Sequence, residues 1–231
     1  MKKTIIFDFD GTIADTLPFI YKKIQENIDK YQITSLEHQE VIKQIRSKTT
    51  QELLKEFKIS WLKIPFIYSV TKKAQKELNG QLDKVKVFPG IKDVLVELKK
   101  DYQMGILSSN LKENIDKFLS LNKLEVFDFI YCESNFFGKD KALNNLVKKY
   151  SLLKENVYYI GDEVRDIKAC KKAGIKIITV GWGFHNQKLL LKNHPDYFVG
   201  KPKEIIQVLV GGSVHYSVDK MITSNCNSNI K

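Results

Sequence analysis

Two aspartates near the start of the chain have the spacing of a paired carboxylate site. Asp8 and Asp10 follow Thr4–Phe7, whose β-branched and aromatic residues are typical of a buried strand. Residues two apart in an extended chain face the same way, so both carboxylates point to one side. Gly11 permits a sharp exit from the strand, and Thr12 adds a hydroxyl and an amide. Two close carboxylates in an apolar setting repel each other unless a cation lies between them, which indicates a divalent metal site; Mg²⁺ prefers such oxygen ligands.

The same sequence also fits a solvated Asp-Gly turn, so the interpretation depends on polar groups elsewhere in the chain. Further apolar runs typical of strands are each followed by polar side chains of a different kind: a hydroxyl and amide group at Ser108, Ser109 and Asn110, an ammonium at Lys139, and carboxylates at Asp162, Glu163 and Asp166. Ligands of parallel sheets bind beyond the carboxyl ends of the strands. We therefore expect these groups to form one phosphate and metal site.

The elements that must position this site alternate along the chain. From Lys86 onward, short strand patterns alternate with helical patterns, which predicts an α/β fold: a Rossmann-like parallel sheet with helices on both faces. Residues 16–84 show only helical periodicity and interrupt this pattern after the first strand. We therefore predict a core domain of residues 1–15 and 85–210, an inserted α-helical cap of residues 16–84, and a flexible tail of residues 211–231.

Composition narrows the classes of function. The 231 residues are 43% hydrophobic and 28% charged, which is typical of a globular protein with one core and a smaller insert. The net charge of +11 favours anionic ligands, but arginines are scarce and the lysines are interleaved with acids, so we expect no nucleic-acid partner.

Location is predicted from what the sequence does not contain. No apolar run approaches the roughly 20 residues of a membrane span, and Asp8 interrupts the first run too soon for a signal peptide. Three dispersed cysteines indicate neither zinc nor disulfides, and the four histidines, which show no ligand spacing, are expected on the surface or in loops. We expect a cytoplasmic protein without a membrane partner.

In order along the chain, these motifs resemble those of the haloacid dehalogenase superfamily of hydrolases, subfamily IA with a helical C1 cap, in its phosphoglycolate phosphatase-like group. The matching pieces are Asp8–Thr12, Ile106–Ser108, Lys139, Gly161-Asp162 with Asp166, and Val180–Phe184 for the loop after the last core strands. The resemblance covers residues 1 to about 210. Asp140 stands where the family commonly has a proline, so Lys141 competes with Lys139 for the role of the lysine.

The resemblance implies a role for each residue. Asp8 would attack phosphorus and form an aspartyl-phosphate, and Asp10 would protonate the leaving oxygen and then deprotonate water. Mg²⁺ would be held by the Asp8 carboxylate, the Asp10 main-chain carbonyl and Asp162. The remaining assignments are phosphoryl binding by Ser108 and Lys139, assistance from Thr12, Ser109 and Asn110, and support of the metal ligands by Glu163 and Asp166.

These roles predict a Mg²⁺-dependent phosphatase of small phosphorylated metabolites that is a monomer or a homodimer. The acid at Asp10 argues against the dehalogenases and ion-pumping ATPases of the superfamily. An inorganic pyrophosphatase, a sugar phosphomutase and a non-catalytic binding or regulatory protein remain alternatives. In the cap, Arg46 and Lys48 either contact an anionic leaving group or are solvated surface charges.

Overall fold

A six-stranded parallel sheet forms the centre of the computed structural model, which describes residues 2–31, 37–133 and 138–211. The predicted tail lies outside these ranges except for Gly211. In chain order the strands are β1 (Thr4–Phe7), β2 (Ala14–Asp15), β3 (Lys86–Val87), β4 (Gln103–Ser108), β5 (Phe129–Cys132), β6 (Val157–Gly161), β7 (Lys176–Val180) and β8 (Tyr197–Val199). The sheet order β5-β4-β1-β6-β7-β8 places β1 near the middle, where the connections change direction.

The pairing of β1 with both neighbours brings three strand ends together. Phe7 is opposite Ile106 of β4 and opposite Ile160 of β6, so the residues that follow each of them emerge at the same edge of the sheet. This edge is the point where the strand order reverses, the usual ligand site of an open α/β sheet. The sequence-predicted α/β fold is confirmed.

Helices cover both faces of this sheet, and the first four helices in chain order belong to the inserted segment instead. The helices are α1 (Leu17–Tyr31), α2 (His38–Ser47), α3 (Thr50–Glu56), α4 (Ile64–Asn79), α5 (Ile91–Leu98), α6 (Lys112–Asn122), α7 (Lys139–Lys149), α8 (Val164–Ala173), α9 (Gln187–Lys192) and α10 (Lys203–Leu209). In β1, Ile5 and Phe7 belong to the core cluster shared with α5, α6 and α10, whereas Ile6 belongs to the cluster shared with α7, α8 and α9. This alternation follows from the two-residue period of a strand.

Helices α1 to α4 pack as a separate layer over the site edge. Their buried cluster is small and consists of Ile28, Val41 and Ile45. The two chain segments that link this layer to the sheet lie side by side, because β2 and β3 pair antiparallel. We propose that residues 16–84 act as a cap domain hinged at this ribbon.

Besides the two strands β2 and β3, three elements of the core were not predicted from the sequence: β8, α9 and α10. Each is short, three to seven residues, and strand or helix periodicity is weak over such lengths. Within the described part of the chain, no helix has the length and apolar character needed to cross a bilayer.

Candidate active site

Asp8 lies at the centre of the site edge and is 3% exposed. Its main-chain N–H donates to the Ile160 carbonyl at 2.8 Å, which extends the β1–β6 pairing by one residue and fixes the direction of the side chain. Oδ1 accepts from the Phe9 N–H at 2.8 Å, and Oδ2 lies 2.5 Å from Lys139 Nζ. Burial raises the pKa of Asp8 to about 6, although the charge of Lys139 opposes the shift.

Lys139, at the first turn of α7, links two carboxylates. Its ammonium lies 2.5 Å from Asp8 Oδ2 and 2.5 Å from Asp166 Oδ1. Burial alone would lower the pKa of Lys139, but the two carboxylates outweigh it and the pKa is raised, so the side chain stays charged. The competing residue, Lys141, is exposed to solvent. The structure therefore brings Lys139, and not Lys141, to the carboxylate cluster.

Asp162, one residue beyond β6, is completely buried and held between two glycines. Its Oδ1 accepts from the Thr12 hydroxyl at 3.0 Å, and its Oδ2 accepts from the Phe184 N–H at 2.6 Å. A Cβ at Gly11 or at Gly183 would lie 2.2 Å from an Asp162 side-chain atom. Both positions therefore require glycine, and Gly11 also has a φ of +76°, which favours glycine.

Asp8, Asp162 and Asp166 form the one group among the described residues with the spacing of a metal site. One oxygen from each lies within 4.8 Å of the others, and all three residues are buried. Burial and the neighbouring acids raise the pKa of Asp162 well above its usual range. Asp166 Oδ1 forms an ion pair with Lys139 but accepts no aligned hydrogen bond. The cluster thus has an excess of buried negative charge and an oxygen-only donor set, which fits a hard divalent cation.

Asp10 is placed apart from this cluster and interacts with the residues after β4. Both of its side-chain oxygens accept from Asn110 Nδ2, at 3.1 and 3.0 Å. Ser108 Oγ in turn accepts from the Asn110 N–H at 3.0 Å, and the Ser109 carbonyl accepts from Gln75 of α4 at 3.0 Å. Burial raises the pKa of Asp10, while the hydrogen bond from Asn110 opposes the shift.

Glu163 and Arg165 form a pair beside the cluster that sequence reasoning only half identified. Glu163 caps α8 reciprocally with Asp166, and its Oε1 lies 2.6 Å from Arg165 Nη2 and 2.8 Å from Nε. The positive charge of Arg165 lowers the pKa of both Asp8 and Asp10, against the larger effect of burial. Arg165 was not predicted as a site residue. Its position in the sequence between Asp162 and Asp166 was the signal that could have identified it.

His185 is a second residue that the sequence did not single out. It lies in a loop, as expected, and is buried there, with 3% of its surface exposed. Its Nδ1 accepts from the Val164 N–H at 3.0 Å, and the ring also hydrogen-bonds the main chain of Lys48. Burial lowers the pKa of His185. The neutral ring therefore joins the start of α8 to the cap.

The contacts of the two cap cations among the described residues are with groups other than the site carboxylates. Arg46 Nη1 lies 3.5 Å from the Tyr21 hydroxyl, and its main-chain carbonyl accepts from the Asn186 N–H at 2.8 Å. The Lys48 ammonium forms an ion pair with Glu56. A substrate contact by either residue stays a prediction.

This arrangement is that of a known class of enzyme. A sequence profile of the haloacid dehalogenase-like hydrolases matches residues 5–180, which include every carboxylate of the site and Lys139. The chain belongs to the haloacid dehalogenase-like hydrolase family. A haloacid dehalogenase-like hydrolase from Streptococcus pneumoniae has the same fold, with a TM-score of 0.73 at 23% identity over 90% of this chain and 98% of that one.

Curated relatives narrow the resemblance within the family. The chain is 29% identical over 210 residues to a phosphoglycolate phosphatase from Synechococcus elongatus, which covers 90% of this chain and 97% of that protein. It is 24% identical over 211 residues to a pyrophosphatase PpaX from Bacillus mycoides, with 89% and 96% covered. Both relatives are matched over nearly their full length.

Proposed function

We propose that this chain is a Mg²⁺-dependent phosphatase of small phosphorylated metabolites, with phosphoglycolate-type compounds as the first candidates. The observation that carries the proposal is the Asp8 carboxylate, with Lys139 at 2.5 Å and the second acid Asp10 held separately by Asn110. A nucleophile with a cation beside it, and a distinct proton donor, are what transfer of a phosphoryl group requires. The curated relatives named as phosphoglycolate phosphatase and pyrophosphatase support the same reaction class.

In the first step, an Asp8 oxygen bonds to phosphorus as the bond from phosphorus to the leaving oxygen breaks. Asp10 gives its proton to that oxygen, and burial, which raises the pKa of Asp10, favours the protonated form that this step needs. Lys139 stabilises negative charge on the phosphoryl oxygens. The same role falls to the Ser108 hydroxyl at the end of β4 and to the Ser109 and Asn110 amides.

In the second step, water attacks the phosphorus of the aspartyl-phosphate. Asp10, now ionised, takes the proton from the water, and the bond between phosphorus and the Asp8 oxygen breaks. Inorganic phosphate leaves and the Asp8 carboxylate is restored. The hydrogen bonds from Asn110 to both Asp10 oxygens keep this carboxylate directed at one place through both steps.

The buried cluster fits Mg²⁺. Asp8 and Asp162 would hold the ion together with the Asp10 main-chain carbonyl, and Asp166 shares their cluster. When bound, Mg²⁺ neutralises charge between the nucleophile and the phosphoryl group. Thr12 and the Phe184 amide orient Asp162 for this role by bonding its two oxygens.

Lys139→Met should lower kcat/KM for p-nitrophenyl phosphate by at least about 100-fold, because removing one preorganised charge-stabilising group costs roughly that factor. The variant also leaves Asp8 and Asp166 without their shared cation, so a lower melting temperature is expected. Lys141→Met, two residues along the same helix and exposed, is the matched control and should keep both values. Equal losses in the two variants would remove Lys139 from the site.

Mg²⁺ should raise the melting temperature, and more so at pH 7.5 than at pH 5. The folded-state pKa of Asp8, about 6, lies above its usual value of 3.8, so without metal this group stabilises the fold at low pH and that contribution is lost as the pH rises through about 6. Mg²⁺ binds the ionised form, so its effect has the opposite pH dependence. At about 100 times its Kd, the ion adds about 2.7 kcal/mol to the free energy of unfolding, which raises the melting temperature by roughly 5–10 °C.

Differential scanning fluorimetry with Mg²⁺ and with EDTA measures this shift in melting temperature, and an Asp162→Asn variant should lose it. A shift at pH 5 equal to or larger than the shift at pH 7.5 would contradict binding at these carboxylates.

The substrate is tested with a panel of phosphorylated metabolites and pyrophosphate, in Mg²⁺, by release of free phosphate. A phosphatase releases phosphate from esters, a pyrophosphatase from pyrophosphate alone, and a phosphomutase needs an added bisphosphate and releases little. Arg46→Ala and Lys48→Ala beside wild type test whether the cap cations select the substrate. Wild type without activity on any compound would favour the non-catalytic alternative.

A further inference from the structure

A cleft opens between the cap and α8 and continues from the site described above. Lys139, which contacts Asp8, is one of its lining residues, so the cleft and the phosphoryl site share a wall. The cap contributes Thr49, Thr50 and Gln51 to the opposite wall. The cleft therefore lies where a leaving group attached to the phosphoryl group can extend.

The α8 wall of this cleft is basic. Arg165, Lys168 and Lys172 are three and four residues apart, so they share one face of the helix, and all three line the cleft. Arg165 is paired with Glu163, and Lys172 lies 3.4 Å from Asp140. Lys168 is exposed and forms no ion pair among the described residues, although its charge contributes to lowering the pKa of Glu52 in α3. Its charge is thus available to an anion in the cleft.

The guanidinium of Arg165 is held in position rather than free to move. Glu163 Oε1 contacts two of its nitrogens, and the Glu163 side chain is itself fixed by its reciprocal cap with Asp166. Arg165 therefore lies between the phosphoryl site, where its charge acts on Asp8, and Lys168 one helical turn further along. One turn is about 5 Å, a distance that a small leaving group spans.

The cap wall complements this charge without repelling an anion. The side chains of Thr50 and Gln51 carry a hydroxyl and an amide, which are neutral hydrogen-bond donors. A carboxylate or a second phosphate between the two walls would meet the cations of α8 on one side and neutral donors on the other. The two acids that also line the cleft, Glu163 and Asp140, are already paired with Arg165 and Lys172. A neutral leaving group would gain little there.

We propose that Arg165 and Lys168 of α8, facing Thr50 and Gln51 of the cap, bind a second anionic group on the leaving part of the substrate. The preferred substrates are then small phosphoryl compounds whose leaving group carries its own carboxylate or phosphate. This specificity site rests on the proposed phosphatase function, and it assigns the selection to α8 of the core in addition to any contact from Arg46 or Lys48.

Lys168→Glu tests the site, with Lys171→Glu as the matched control. Lys171→Glu changes the net charge by the same amount on the same helix. The Lys171 side chain points to α9, where its ammonium donates to the Asn193 carbonyl at 2.8 Å. The readout is the ratio of kcat/KM for 2-phosphoglycolate to kcat/KM for p-nitrophenyl phosphate. We expect Lys168→Glu to lower this ratio at least about tenfold, the size of one charge-assisted contact, and Lys171→Glu to change it less than about twofold.

A second readout needs no turnover. In an Asp8→Asn background with Mg²⁺, the Kd of 2-phosphoglycolate measured by calorimetry should rise at least about fivefold on Lys168→Glu and stay constant on Lys171→Glu. If wild type hydrolyses neither compound, the phosphatase proposal fails. The comparison of Kd values still shows whether the α8 site binds the second anionic group. If wild type hydrolyses p-nitrophenyl phosphate but ratio and Kd respond equally to both variants, the α8 site is wrong and the phosphatase proposal stands.

Discussion

Asp8→Asn should lower kcat/KM for every phosphate ester by at least about 10⁴-fold, because an amide oxygen cannot displace the leaving group. The side chain keeps its shape, and the change removes a charge whose burial raises the pKa of this group. The variant should therefore fold and still bind phosphorylated ligands. Release of phosphate from p-nitrophenyl phosphate and 2-phosphoglycolate measures the loss.

Asp116→Asn is the control for this prediction. Asp116 is an exposed partner of Lys112 in α6, so the same chemical change there should leave kcat/KM within about twofold. Activity of Asp8→Asn within tenfold of wild type, with circular dichroism unchanged, would show that another group attacks phosphorus.

Asp10→Asn should separate substrates by their leaving groups. An alkyl phosphate needs a proton on the departing oxygen, so its kcat/KM should fall about 10²- to 10⁴-fold. p-Nitrophenyl phosphate leaves well without a proton, and its kcat/KM should fall far less. Its kcat should nevertheless drop, because Asp10 is also the base for the second step, and p-nitrophenol should appear as a burst followed by a slow phase.

The Asn110 amide provides a check on that interpretation. In the wild type it donates to both Asp10 oxygens, and in Asp10→Asn it can still donate to the remaining carbonyl oxygen, so the geometry should be kept. Equal losses of kcat/KM for the alkyl and the nitrophenyl ester would assign Asp10 a positioning role instead of proton transfer.

The meeting of Asp8 and Asp162 could be predicted because each residue comes directly after a strand. Asp8 follows β1 and Asp162 follows β6, and these two strands pair in parallel, so the two side chains meet at one edge of the sheet. The choice between Lys139 and Lys141 could not be made in this way. It depends on the rotation of α7 about its axis, which the packing of Ala142, Leu143 and Leu146 against the sheet sets and which a helical period alone does not fix.

Arg165 and His185 show a second kind of limit. The contacts that place these two residues are not part of a strand or helix pattern. The Arg165 side chain turns back to bond Glu163, and His185 connects α8 to the cap across a long separation in sequence. Burial of a polar side chain in a loop is a tertiary property, and local patterns do not report it. The proposed specificity site belongs to this class, because α8 and the proposed cap must pack together before the distances between their side chains are set.

The most direct test of the account is the identity of the phosphorylated residue. Asp10→Asn is mixed with p-nitrophenyl phosphate and Mg²⁺, stopped in acid during the slow phase, digested and analysed by mass spectrometry. The account predicts a hydroxylamine-labile phosphoryl group on Asp8 in the digested peptide. This group should be absent from the double variant that carries both Asp10→Asn and Asp8→Asn. A phosphoryl group on a different residue, or turnover by wild type with Asp8 never phosphorylated in either protein, would contradict it.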